Sequence, residues 1–561
     1  MVSALAILAS CGGGSEGPVV VDAIVDFGAI ADGHTDDEPA IQAALDHAAS
    51  MGGGTVRLRA GTYGISRPLV LRSRVHLVGE GPGKSVLRSL ERSLGKNMPD
   101  ANVWAAVAMV AADSASVSAL TVDLSVAGTH ANGVAALPSG KFHEGQPSTN
   151  CEISDVEVIG GGNYHAYMIW NLRGRGIRIV HNVVDGRILS PVDSHQEGIE
   201  SYGGKDVLVG WNEVRNIGNT ALNFGSAGLP DTGVDGLTVV GNVVINSQRG
   251  LNIGSWIDPS GPQNVENVRI ESNEFSDLWQ TGIHVSVYPG TEVRNLRIVD
   301  NTLADVGTSD GANARGIHFQ GSAASASLPS AADIIVEGNT VRGVRGRNAI
   351  GALINYFPDV SLVDNTISGI DHIGLQAFGS SRLIIDRNSI SNTGWIGLGS
   401  YGPLSSILVR ENLFENWGIG TLVAGVQVDG AVEGEVRNNT FRKEGASGSA
   451  VRVEAGAANV LVFGNSVAAR ELTAAPFVNV GANSNLGTFT ALEGQAVVML
   501  SNALVTDASA VTIRQVTGDP LSFDVEVGEG VLQVNFQAVP SGAEEFHYEI
   551  GPPETSSVGG S

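Results

Sequence analysis

A parallel β-helix, one chain wound into stacked coils, is the fold this sequence predicts, and three observations predict it. An asparagine recurs through the chain in a fixed apolar setting. Short β-like runs lie between Gly, Asn, Ser and Asp with no helical period separating them. A six-residue string opening on glycine returns once per repeat, as in "GIESYG" (198–203), "GLNIGS" (250–255), "GIHVSV" (282–287) and "GIHFQG" (316–321).

Length and composition agree with a solenoid. A chain of 561 residues is too long for one ordinary compact core. With 74 glycines and 42% apolar residues it has surface to bury and many tight turns. The formal charge of −25 argues against a nucleic-acid partner, because that binding needs clustered Lys and Arg to displace counterions. Two cysteines, Cys11 and Cys151, exclude a disulfide framework.

Residues 1–17 hold the short apolar run "ALAILASC" followed by the flexible "GGGSEG". The run resembles the lipobox of bacterial lipoproteins. That resemblance implies lipidation of Cys11 and an extracytoplasmic, lipid-anchored location, and an N-terminal lipid is then the only membrane contact expected. Cys151 reads as a small buried hydrophobe.

The β-helix is expected over 18–470. Its first part, "DFGAIADGHTDDEPAIQAALDHAASMGGGTVRLRAGTYGISRPLVLRSRVHLVGEGPGKSVL" (26–87), contains one helix signal. Thr35, Asp36 and Asp37 offer helix-start side chains, Pro39 suits the first turn, and Ile41, Ala44, Leu45 and Ala48 form an apolar stripe able to cover the open end of a stack. This segment resembles the N-terminal part of the pectate-lyase-like superfamily, a resemblance that implies a right-handed β-helix and, by its best-known members, activity on polysaccharides.

The repeated asparagines are Asn182, Asn212, Asn242, Asn273, Asn301, Asn339, Asn365, Asn388, Asn412, Asn439 and Asn465. Stacked at one turn, they are expected to hydrogen-bond to one another and to take the left-handed backbone that the turn requires. The column stops near residue 470. Alternating strands over 471–551 then predict a small β cap or sandwich-like module, and 552–561 a disordered tail.

Aligned on their glycine, the six-residue strings place Ile199, Leu222, Leu251, Ile283 and Ile317 in the core. The next residues, Glu200, Asn223, Asn252, His284 and His318, should point the other way and form a polar row with members about 4.8 Å apart. Tyr202, Gln320 and Tyr356 belong to the same strands, and Trp256, Asp258 and Tyr288 to the loops beyond. Aromatic faces beside amides and carboxylates suit pyranose rings, so a polysaccharide groove is expected on this side.

The reaction expected is β-elimination on a uronic-acid polymer. His284 or His318 would be the base, since imidazole titrates near neutral pH, and Asn223, Asn252, Arg249 and Arg315 would hold the uronate. Glycoside hydrolysis needs two carboxyl groups; Glu200 is the one in the row, and Asp193, Glu197, Asp231 or Asp258 would have to join it from loops. Asp193-Ser194-His195 resembles the Asp-Pro-His element of mannuronan C5-epimerases, with Ser194 in place of proline, which adds His195 as a candidate for epimerisation. A glycan-binding solenoid without chemistry is the rival reading. No Cys or His spacing typical of a metal site occurs, no cofactor is evident, and Ca2+ is the cation that scattered carboxylates would hold. The oligomeric state is not legible.

Overall fold

A computed structural model describes residues 19–90, 105–126, 132–140, 145–160, 166–190, 194–225, 233–254, 264–287, 290–307, 313–321, 329–418, 423–430, 433–443, 448–458, 460–468, 477–479, 486–492, 495–501, 509–517, 520–528 and 531–551. The architecture is a right-handed parallel β-helix with an N-terminal helix and a small C-terminal β module. One face is a 15-stranded parallel sheet running from Leu69–Leu71 to Phe477–Asn479. The remaining faces join into one 30-stranded sheet because two long strands, Ser116–Leu124 and Glu152–Gly160, run through the corner between them.

The helix Glu38–Ser50 buries Ile41, Ala44, Leu45 and Ala48 against the first coil, and Pro39 lies in its first turn. Gln42 extends the device: its Nε2 donates to Val70 O at 3.1 Å and its Oε1 accepts from Val70 N at 2.8 Å. A side-chain amide thus occupies the edge of the 15-stranded sheet where another strand would pair. Asp37 differs from expectation. Its carboxylate does not cap the helix but accepts from the backbone N–H groups of Ile30 and Ala31, tying the preceding loop down.

The asparagine column is continuous from Asn182 to Asn465. At each step the side-chain Nδ2 of one Asn donates to the Oδ1 of the next, at 2.9 Å from Asn182 to Asn212 and 3.0 Å from Asn439 to Asn465. The same Oδ1 also accepts the backbone N–H of the Asn before it. The left-handed position, however, belongs to the residue before the Asn: His181, Trp211, Gly241, Ser272, Asp300, Gly338, Asp364, Arg387, Glu411, Asn438 and Gly464. The amide is what the turn selects, because it closes both sides of the ladder. The left-handed backbone is imposed on whatever precedes it.

Inside the coils, Ile199, Leu222, Leu251, Ile283, Ile317, Ala352, Leu375, Leu398, Val426 and Val451 stack in one continuous apolar core. The C-terminal module has two antiparallel three-stranded sheets, one of Leu486–Ala491, Glu544–Gly551 and Ala510–Gln515, the other of Val497–Ser501, Val531–Phe536 and Phe523–Gly528. Leu532, Val534, Phe536, Phe546 and Ile550 fill its own core. Among the described residues no helix is long and apolar enough to cross a membrane.

Candidate active site

The glycine that opens each six-residue string is there because the coils approach closely. A Cβ on Gly250, Gly282, Gly316 or Gly351 would lie 2.3–2.6 Å from the carbonyl oxygen of the matching glycine on the next coil. Strict alternation fails at this point of the strand. Residues three apart, on either side of the glycine and its core neighbour, face outward together. Tyr167 and Trp170 show this with ring centroids 4.9 Å apart, as do Ile350 and Leu353, which share an apolar cluster separate from the core.

The outer face therefore carries two columns. The register sets Glu200, Asn223, Asn252, His284 and His318 side by side on successive strands, as the sequence predicts. The second column, one residue ahead of the glycine, holds Glu197, Arg249 and Arg315 among its members. Glu197 is thus a strand residue of the face, not a loop acid. Strict period-2 reading hides that column, although its residues lie at a constant offset from each glycine.

The face is not a solvated groove wall. Glu200 is 0% exposed, Asn223 and Asn252 are each 1% exposed and His284 is 8% exposed; His318, Arg249, Arg315 and Tyr202 are half-buried. Asn223 Nδ2 donates to Glu200 Oε2 at 3.2 Å and to the Tyr202 hydroxyl at 3.1 Å, and Asn252 Nδ2 donates to Asn223 Oδ1 at 3.0 Å. Glu197 accepts from Asn219 Nδ2 at 2.8 Å and from Thr220 N at 3.0 Å. Arg249 Nε donates to Gln280 Oε1 at 2.9 Å, and Arg315 Nη1 to the carbonyl of Ala314 at 2.8 Å. The His284 and His318 rings stack at 4.7 Å, and His284 Nε2 lies 3.1 Å from Gln320 Oε1, which puts a proton on that nitrogen. Glu200 Oε1, Thr220 Oγ1, Asn252 Oδ1 and His318 Nε2 of this face are buried with no hydrogen-bond partner among the described residues. Such atoms are uncommon in a folded chain, and here they share one face.

Electrostatics separates the groups. Burial raises both carboxyls, Glu200 further because Glu197 adds its charge, while Thr220 N–H and the Arg249 cation pull Glu197 back. Burial drives His284 down to about 4 and His318 to about 2, the latter helped by His284 and Arg315. The expectation that either imidazole titrates near neutral pH is therefore overturned. Both are neutral at working pH and weak as bases, because a dry site resists the imidazolium charge. Burial also lowers Arg315, to about 10.

Other candidates fall elsewhere. His195 is exposed, one residue ahead of the strand Gln196–Tyr202. Gln320, exposed at the end of its strand, stays with the site through its 3.1 Å contact to His284 Nε2. Tyr356 sits past the strand Ile350–Asn355, its ring edge-on to Phe378 at 5.3 Å, so it does not join the cluster. Asp193, Trp256, Asp258, Tyr288 and Cys11 lie outside the described residues, as does Asp231. Among the described residues no group of three or more His, Cys, Asp or Glu is placed to hold a metal ion.

Comparison with known proteins agrees with this architecture. Residues 21–186 match the family described as rhamnogalacturonase A/epimerase, pectate lyase-like, and residues 303–468 match the right-handed β-helix region. These matches and the fold together support the pectate-lyase-like superfamily of right-handed parallel β-helices. Among curated relatives it is 48% identical over 75 residues to mannuronan C5-epimerase AlgE3 of Azotobacter vinelandii, covering 12% of this chain and 4% of the epimerase. It is 44% identical over 75 residues to alginate lyase 7 of the same organism, covering 12% of this chain and 9% of the lyase. The chain thus spans less than a tenth of the length of either relative. The tailspike protein of E. coli bacteriophage HK620 shares the fold, with a TM-score of 0.53 at 12% identity, covering 94% of this chain and 93% of that one.

Proposed function

We propose that this protein is a polysaccharide-active enzyme that abstracts the C5 proton of a uronate, with β-elimination as the outcome. The observation that carries the reading is the pair Glu197 and Glu200, two carboxyls buried on one strand outside the core, with the desolvated cations Arg249 and Arg315 on the same face. Raised carboxyls retain protons that ordinary ones lose, and a cation stripped of water favours an anionic ligand.

The roles follow from the environments. Glu200, the more strongly raised, keeps its proton and donates a hydrogen bond where negative charge develops on the uronate. Glu197, which burial raises to about 8 against the pull of Thr220 N–H and Arg249, takes the C5 proton in its ionised form, and the acid so formed returns that proton to the O4 leaving oxygen as the C4–O4 bond breaks and the C4–C5 double bond forms. Arg249 and Asn252 hold the carboxylate, and the neutral His284 and His318 bind sugar hydroxyls. The short matches to a mannuronan C5-epimerase and an alginate lyase support a uronate polymer as substrate.

Hydrolysis is the second reading, because two carboxyls are what glycoside cleavage uses. Products separate the three chemistries. Elimination leaves a C4–C5 double bond that absorbs in the ultraviolet, hydrolysis leaves reducing ends without it, and epimerisation changes the uronate ratio at constant chain length. Binding with no product from polymannuronate, pectate or other uronate polymers would leave a glycan-binding solenoid. For location we propose lipid anchoring through Cys11, motivated by "LASC"; Cys11→Ser should abolish detergent-phase partitioning, and equal partitioning of both forms would remove the anchor.

A further inference from the structure

We infer that the face reads a uronate carboxylate at two points set two coils apart, so that its substrate carries carboxylates on the same edge at every second sugar. The inference rests on the polyuronate reading above and adds its spacing. Arg249 pairs in register with Thr281, and Thr281 with Arg315, so the two arginines occupy one column with a single strand between them. Parallel neighbours lie about 4.8 Å apart, which sets the two cations roughly 10 Å apart along the stack.

An extended pyranose chain advances by about one strand spacing per sugar. A 1,4-linked polyuronate with two-fold symmetry turns alternate carboxylates to opposite edges, and the ones on a single edge recur after two sugars. That repeat matches the arginine spacing and not the spacing of neighbouring strands. Thr281, between the arginines, is buried and uncharged, as a position facing the ring between two carboxylates needs to be.

Arg315 is the distal reader. Its Nη1 donates to the backbone carbonyls of Ala314 and Asn348, so neutral acceptors hold it, and no ion pair with a carboxylate forms among the described residues. His318 follows on the same strand, with Nε2 buried and unpartnered. A carboxylate arriving here gains a cation, and a hydroxyl beside it gains an imidazole nitrogen. Beyond Arg315 the outer face turns apolar, with Ile350, Leu353, Ile373 and Ile396, so the charged reading ends at this coil.

The test is binding of mannuronate oligosaccharides of two to six sugars by calorimetry, with Glu200→Gln as the background so that turnover does not consume the ligand. Three sugars are the shortest ligand that reaches both arginines. Affinity should rise roughly ten- to hundredfold from disaccharide to trisaccharide, the scale of one added hydrogen-bonded charge pair. Arg315→Gln should abolish that step while leaving disaccharide binding in place, and Arg315→Lys should restore part of it, which a merely structural arginine would not. Neutral cello-oligosaccharides should show no Arg315-dependent step. A step that survives Arg315→Gln, or that falls at another length, overturns the two-coil spacing. Loss of folding in Arg315→Gln would show as lost disaccharide binding, and Arg315→Lys then decides. If no acidic oligosaccharide of any length binds while neutral ones do, the polyuronate reading itself fails.

Discussion

Replacing Glu200 with Gln should stabilise the protein, by an amount that grows with pH. The native carboxyl is fully buried and holds its proton well above the ordinary value of 4.5, at which the unfolded chain releases it. Between pH 4.5 and the raised native value, folding must therefore take up a proton, and stability falls as pH rises through that window. Each pH unit inside that window costs about 1.4 kcal/mol, so the loss at this one site accumulates steadily as pH rises. Gln keeps the shape and the acceptor for Asn223 Nδ2 without the proton uptake. His284 and His318 have the opposite slope below their ordinary value of 6.5, but both proteins contain them, so they cancel in the difference. Thermal melts of the two proteins from pH 4 to 8 should coincide at the acid end and diverge upward in favour of Glu200→Gln by several degrees. A constant offset, or a wild type that gains on the variant as pH rises, would refute a buried, proton-retaining carboxyl.

Three further outcomes follow from the same structure. Asn388→Ala removes the donor to Leu362 O and to Asn412 Oδ1 and the acceptor for the Asn365 N–H, and should cost roughly 3–5 kcal/mol in denaturant unfolding, with a loss under about 1 kcal/mol contradicting the ladder. Gly316→Ala places a methyl 2.3 Å from Gly351 O and should lower the melting temperature, whereas Gly528→Ala, with nothing within 4 Å of its Cβ, should leave it unchanged; equal effects would deny the close approach. His284→Ala and His318→Ala should raise KM more than they lower kcat and leave no missing titration near pH 6.5, because both rings are already neutral there; a lost limb in the kcat pH profile would restore one of them as the base.

The coil repeat and its core were legible because they are local and periodic. The spacing of Asn182 to Asn465 marks the ladder, and the apolar residue after each glycine marks the interior. The left-handed residue was not legible, since His181, Trp211, Asp300 and Glu411 share no chemistry and are forced into that backbone by the amide that follows. Glu197 is hidden for a related reason: alternation predicts that residues three apart face opposite ways, whereas on this face Tyr167 and Trp170, and Ile350 and Leu353, lie together. Burial is a property of the assembled stack, so nothing in "GIHVSV" or "GIHFQG" could have signalled that both imidazoles would be too dry to ionise.

The proposed reaction centre for a uronate polymer is the pair Glu197 and Glu200. Its most direct test is product analysis of polymannuronate and pectate digests with wild type, Glu197→Gln and Glu200→Gln. Wild type should generate ultraviolet-absorbing unsaturated ends, and each variant should lose roughly 10²–10⁴-fold in kcat, the usual contribution of a positioned acid or base. Full turnover by both variants would contradict the claim, as would unsaturated product whose formation depends on His195 and not on either glutamate.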